Sequence, residues 1–147
     1  MDISILTLIV STTAVYIAIT LFRRFLDKPL ENEIFKLEIR HKGRTVILNA
    51  FADSGNSLND FLTGLPVIIC KSGKINGFIS TTEVNDEIPK GLRLIPFSSV
   101  SGGGIIKAFR PEYISINKKE INALIGTNEG ALENESFDAI FNPKIII

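Results

Sequence analysis

From Ile3 to Phe22 the chain runs through twenty positions without a charge, mostly Ile, Leu, Val, Ala and Thr. As an α-helix such a run covers the roughly 30 Å hydrocarbon core of a bilayer, at about 1.5 Å per residue. A buried helix of a soluble protein usually keeps a polar stripe, whereas the polar residues here are almost all Ser and Thr. No basic stretch precedes the run and no A-x-A-like site comes after it, so a membrane span is expected rather than a cleaved signal. Asp2 lies ahead of it, and Arg23, Arg24 and Lys28 lie close behind. The positive-inside rule then places the remainder in the cytoplasm, as a single-pass protein of the cell membrane. Pro29 is expected to end the helix and open a short linker.

Beyond Ile34 the period changes from helical to strand-like. Phe35-Lys36-Leu37-Glu38-Ile39-Arg40 alternates apolar and polar, as a half-buried strand does. Lys42-Gly43 predicts a hairpin turn into a more apolar strand over Thr45 to Ala52. Further strands are predicted at Pro66 to Cys70, Leu92 to Ser98, Ile105 to Phe109, Tyr113 to Ile116, Ala123 to Ile125 and Phe137 to Phe141. Turn residues separate them at Ser72-Gly73, Gly102-Gly103-Gly104 and Asn117-Lys118. Asn142-Pro143 can open a short terminal helix, with Pro at its first position. The chain is therefore divided into residues 1–29, helix and juxtamembrane linker, and residues 30–147, a mainly β domain of barrel or sandwich type.

Charge and composition narrow the chemistry. Sixteen Lys and Arg balance sixteen Asp and Glu in 147 residues, so no surplus of positive charge offers itself to nucleic acid. Cys70 is the single cysteine and His41 the single histidine. Zincin and structural zinc sites need more ligands than that, so neither a metal nor another cofactor is expected. His41 sits in the charged stretch Arg40-His41-Lys42-Gly43-Arg44 and is expected to be a solvated turn residue. Cys70 closes the apolar run Val67-Ile68-Ile69-Cys70 and is expected in the core rather than as a nucleophile.

The chemically informative stretch is Val46 to Asn56, an apolar strand that ends in Asp53-Ser54-Gly55. A strand end holds a carboxylate rigidly, the adjacent hydroxyl can bond to backbone of an opposing half, and glycine lets that half approach closely. Two such carboxylates a few Å apart share one proton, so that one activates water while the other protonates a carbonyl oxygen. This is the form aspartic peptidases use. The tripeptide alone is short enough to arise by chance as a turn closing a strand. The later segments of the chain weigh more. Pro96 to Ile106, with Ser101 and Gly102, Gly103 and Gly104 near its middle, is similar to the flap hairpin of a pepsin-like lobe. Ala123-Leu124-Ile125-Gly126 and Phe137 to Phe141 resemble that lobe's later strands.

Asp53-Ser54-Gly55-Asn56-Ser57-Leu58, then Leu62-Thr63-Gly64 and Pro66-Val67, resemble the sporulation sigma-E factor-processing peptidases. So do Arg93 to Val100 with Gly102 to Gly104, and Ala108-Phe109-Arg110-Pro111. The resemblance implies an integral membrane aspartic endopeptidase that removes the pro-sequence of the sigma-E precursor during sporulation, with Asp53 as the catalytic aspartate. It also implies further spans ahead of the protease domain and further chain beyond Ile147, so the sequence is expected to correspond to the last span and the protease domain.

Residues 30–147 number 118, enough for one pepsin- or retropepsin-like lobe and not two. Asp138 is followed by Ala139, Asp60 by Phe61 and Asp86 by Glu87, so no second Asp-Ser/Thr-Gly exists. A single lobe must then pair with a second copy across a two-fold axis, as retroviral proteases do. Asp138 is expected as a polar contact at a strand end. The competing readings are a module of this fold that merely tethers a partner at the membrane, and an inactive fragment.

Overall fold

Strand β1 (Ile34–His41) shows why the alternation works: Phe35, Leu37 and Ile39 point into the core, while Lys36 and Arg40 face water. It turns back through Lys42 and Gly43, both at positive φ (48° and 71°), the backbone of a tight hairpin whose twist suits the flanking strands. Strand β2 (Arg44–Ala52) then pairs antiparallel along the full length of β1, from His41 opposite Arg44 to Ile34 opposite Phe51. The computed structural model describes residues 4–26, 33–79, 91–99, 102–128, 130 and 132–147. Asp2, Lys28, Pro29 and Asp86, which carry some of the sequence expectations, lie outside those residues.

The chain divides into two compact units, Met1–Leu30 and Glu31–Ile147. The first is helix α1 (Ile5–Leu26), whose 22 residues span about 33 Å. Ile5–Phe22 is long and apolar enough to cross a membrane, and its side chains are exposed along the whole stretch. Its hydroxyls turn inward on their own backbone: Ser11 and Thr12 donate to the Leu8 carbonyl, Thr13 to Ile9 and Thr20 to Tyr16. This local bonding satisfies each hydroxyl without water.

The second unit is mainly β. Its remaining strands are β3 (Val67–Cys70), β4 (Leu92–Ser99), β5 (Gly102–Phe109), β6 (Tyr113–Ile116), β7 (Lys119–Glu120), β8 (Leu124–Thr127) and β9 (Ala139–Phe141). They form one sheet in the order β4-β5-β8-β3-β9-β2-β1-β6-β7. Most neighbours are antiparallel, but β2 with β9 and β3 with β8 run parallel. The parallel β2–β9 pair carries the end of β2, and hence Asp53, into the middle of the sheet. Leu37, Ile39, Leu48, Ile68, Ile116, Leu124, Ile125 and Phe141 fill the core. Phe35 and Phe141 meet edge-on at 5.3 Å.

Several local features differ from the sequence reading. The Ser72-Gly73 turn is a single helical turn, α2 (Ser72–Ile75), because Ile75 behind it is fully buried and fixes the segment onto the core. The two-residue strand β7 was too short to show any periodicity. His41 is not a solvated turn residue. It closes β1, and its imidazole packs against Phe109 (centroids 4.9 Å apart) and Phe78 (6.2 Å). Burial lowers its pKa, Glu112 pulls it back up, and Lys42 adds a smaller lowering. Cys70 is fully buried and burial pushes its thiol far above the ordinary range, which makes it a core residue.

Candidate active site

Asp53 follows directly on Ala52, the last and buried residue of β2. Its amide donates to the Phe141 carbonyl at 2.9 Å, which continues the β2–β9 ladder one step beyond the strand. The backbone then reverses: the Asn56 amide donates to the Asp53 carbonyl (3.1 Å), and Ser57 N–H to Gly55 (3.0 Å). Within this turn the Gly55 amide donates to Asp53 Oδ1 at 2.8 Å. A Cβ at Gly55 would stand 3.0 Å from that oxygen, tighter than nearly all Cβ contacts, so glycine is what lets the backbone come this close to the carboxylate. Asp53 is half-buried, while Ser54 and Gly55 are exposed. The carboxylate therefore stands at the mouth of a rigid turn, with the hydroxyl of Ser54 free to meet another surface.

Below the turn lies Asn56, a residue to which the motif alone assigns no role. It is only 8% exposed. Its Nδ2 donates to the Val67 carbonyl on β3 (3.1 Å) and to the Ile140 carbonyl on β9 (3.4 Å), and its Oδ1 accepts from the Leu58 amide (3.3 Å). The Asn56 carbonyl accepts from Asn142 Nδ2 at 2.8 Å. Asn142 in turn caps the terminal 3-10 turn Pro143–Ile145 by accepting from the Lys144 amide, as the Asn-Pro pair predicted. The signal for Asn56 was a polar residue placed where the chain re-enters the core.

The hairpin β4–β5 is in register from Leu92 opposite Phe109 to Ser99 opposite Gly102. Gly102, Gly103 and Gly104 are not the turn expected of them but paired strand residues of β5, opposite Ser99, Ser98 and Phe97, because the β4–β5 ladder runs on past Ile105; Ser101 lies outside the described residues. Gly102 has a φ of 137°, a backbone that side chains rarely adopt. A Cβ at Gly104 would meet the Phe97 ring at 2.8 Å. The base of the hairpin is held by a cluster of Val67, Ile95, Ile106, Ala108 and Leu124, against which Leu58, Leu65, Ile69 and Phe97 pack. Leu58 belongs to the loop that begins at Asp53, so that loop and the hairpin share one core.

A second tie joins them. Asp60 is buried and accepts from the Thr63 hydroxyl and from Arg93 Nη1, which reaches in from β4. The Thr63 hydroxyl, helped by the Leu62 amide, Arg93 and the Thr63 amide, holds the Asp60 carboxyl below the usual carboxylate range against the opposing effect of burial. Asp138 is committed elsewhere. Its Oδ2 accepts from the Asn49 amide (3.1 Å) and its Oδ1 faces Lys74 Nζ (3.3 Å), the polar strand-end contact expected of it.

A mainly β unit that presents an Asp-Ser-Gly turn, together with a helix long enough to cross a membrane, is what the fold and site define. The chain belongs to the sporulation factor SpoIIGA family (Peptidase_U4), whose model matches residues 1–145. It is 32% identical over 112 residues to the "Probable sporulation sigma-E factor-processing peptidase" of Clostridium acetobutylicum. That match covers 73% of this chain but only 40% of the relative's length. Among solved structures it is similar to the solution structure of Simian Foamy Virus (mac) protease, at 17% identity and a TM-score of 0.39, over 78% of this chain and 91% of that one.

Proposed function

We propose that this chain carries a membrane span and the protease domain of a membrane-anchored aspartic endopeptidase that cleaves the sigma-E precursor and works as a homodimer. The observation that carries the reading is Asp53 directly after the buried Ala52 that ends β2, with Gly55 N–H on one carboxylate oxygen. Family membership and the name of the Clostridium acetobutylicum relative support the peptidase activity and its substrate. Helix α1 is the anchor, and the basic residues behind it put the β-domain in the cytoplasm, where a sigma-factor precursor resides.

Asp53 supplies one carboxylate of a pair and the second copy supplies the other. Sharing one proton, the ionised member draws a proton from water as that water attacks the scissile carbonyl, and the protonated member donates to the carbonyl oxygen. Ser54 bonds across the two-fold axis, and the β4–β5 hairpin, through Ser101 to Gly104, closes over the substrate as a flap. In membranes, Asp53→Asn is expected to abolish precursor cleavage while leaving the fold intact. Retained cleavage would remove the aspartic mechanism. When wild type and Asp53→Asn are co-expressed equally, random pairing leaves roughly a quarter of dimers with both aspartates. Activity per total protein should fall to about that quarter, and a value near one half would mean that each chain works alone.

A further inference from the structure

We propose that Asn56 is a positioning residue for Asp53, acting as a two-pronged amide clasp that fixes the aspartate turn to β3 and β9. The inference rests on the aspartic reading proposed for Asp53 and goes beyond it to a buried residue beneath the turn.

The ladder between β3 and β9 consists of Ile69 opposite Ile140 and Cys70 opposite Ala139. Continued toward the site, it would set Val67 opposite Asn142, but it stops at Ile69 and Ile140, while on the other edge of β3 the pairing with β8 runs on to Val67 opposite Leu124. The two strands part there. The side chain of Asn56 enters the gap, and one nitrogen serves the carbonyls of both, Val67 at 3.1 Å and Ile140 at 3.4 Å. It thus takes the place of the missing ladder in a region where an unpaired carbonyl would be buried.

Strand β9 consequently holds the turn at both ends. The Phe141 carbonyl accepts from the Asp53 backbone amide, the Ile140 carbonyl accepts from the side-chain Nδ2 of Asn56, and Asn142 Nδ2 donates to the Asn56 carbonyl. Successive strand carbonyls point to opposite sides, so Phe141 and Ile140 grip the turn from two directions. Between those grips lie Ser54 and Gly55, whose amide orients the carboxylate. An asparagine is the side chain that fits: a donor nitrogen for the two carbonyls and an acceptor oxygen for the Leu58 amide, on a one-carbon stem. Aspartate has the shape and lacks the donor, and alanine lacks both.

Positioning of this kind affects turnover more than binding, because two carboxylates that share a proton tolerate little displacement. A misplacement of about 1 Å costs on the order of 100-fold in rate. The experiment uses the full-length protein in membranes with the purified sigma-E precursor, and compares wild type, Asn56→Ala, Asn56→Asp and Asp53→Asn. Asn56→Ala is expected to lower kcat by about 100-fold with KM within about threefold. Asn56→Asp, its carboxylate facing two carbonyl oxygens, is expected to be as slow near neutral pH. It should recover activity relative to wild type as the medium is acidified, because the protonated acid regains a donor. A kcat for Asn56→Ala near wild type would overturn the proposal. So would a kcat loss that only tracks the loss of folded protein, or an Asn56→Asp pH profile superimposable on wild type. Turnover by Asp53→Asn would instead sink the aspartic reading itself, which keeps the two failures apart.

Discussion

The packing under the hairpin makes a strong test of the structure at Gly126, a fully strand-bound residue of β8. A methyl group added there would lie 2.5 Å from Ile106 Cγ2, 3.0 Å from Val67 Cγ1 and 3.5 Å from Ala108 Cβ. Ordinary carbon contacts begin near 3.5 Å, so Ile106 must retreat by about 1 Å and Val67 by about half that. Both are β-branched residues on strands with little χ1 freedom, and both belong to the buried cluster that anchors the hairpin. Overpacking of this sort costs about 1–3 kcal/mol, and the rigidity of both neighbours puts the gross strain at the top of that range. Against it stand about 0.8 kcal/mol for one more buried methyl and a few tenths for the reduced freedom of the unfolded chain. Gly126→Ala should therefore destabilise the domain by about 2 kcal/mol, which lowers Tm by about 8 °C or more for a unit of this size. Urea denaturation followed by circular dichroism would measure it. Ile106→Ala removes the methyl that is struck, so the double variant Gly126→Ala/Ile106→Ala should be more stable than the sum of the single losses by at least about 1 kcal/mol. Equal stability of Gly126→Ala and wild type, or additivity within about 0.5 kcal/mol, would refute the packing argument.

Other perturbations separate charge from shape. Thr63→Ala removes the main group that holds the Asp60 carboxyl low, so it should cost about 1 kcal/mol at neutral pH. Because that stabilisation exists above the ordinary carboxylate pKa and is lost as pH falls through the folded value, the gap between variant and wild type should close below about pH 4 in denaturation curves. For His41 the lowered pKa means that the unfolded chain takes up the proton first, so wild-type stability should decline as pH falls below about 6.5. His41→Phe keeps the ring against Phe78 and Phe109 and should flatten that slope in a Tm-against-pH series. Gly104→Ala drives a methyl into the Phe97 ring and should slow precursor cleavage several-fold more than its loss of folded protein explains. Equal losses would reduce the triple glycine to a packing device.

Legible in the sequence were the features that depend on neighbours in the chain. The alternation in β1, the Lys42-Gly43 turn and the Asn142-Pro143 cap are all local arrangements, and each appears where its pattern lies. His41 shows the limit. Its flanking charges say solvent, but Phe78 and Phe109, 37 and 68 residues further on, close over it. The strand order is equally distant information, because β2 meets β9 across most of the domain and β3 meets β8 across about half of it. Asp53 stood out because the carboxylate chemistry proposed for it needs a short contiguous motif. Asn56 stands in the same motif yet shows no role there, since its partners Val67 and Ile140 come together only when β3 and β9 part.

The placement of these ties suits the half-site proposed above. In a two-lobed enzyme one chain can relax one aspartate turn and keep the other in place. In the proposed homodimer every change is made twice, on both sides of the axis, so an error in the turn doubles in the distance between the carboxylates. A turn serving such a site has to be fixed by its own chain before the partner arrives. Here that is done by polar groups aimed at backbone: the Asp53 amide on Phe141, Asn56 on Val67 and Ile140, and Asn142 on Asn56. The apolar part of the same loop, Leu58, packs under the hairpin, and Asp60 pairs with Arg93 on β4. A shift of the hairpin is therefore transmitted to the turn through two contacts, at Leu58 and Asp60, close in the chain to Asp53. Leu58→Ala and Arg93→Ala each cut one of them while leaving the Asn56 clasp whole. If the two contacts act in parallel, either variant alone should leave kcat near wild type once folded protein is counted, and the double variant should lose far more than the product of the two. Independent, multiplicative losses would mean that the two contacts act separately rather than in parallel, and a double variant with kcat near wild type would mean that the asparagine clasp alone holds the turn.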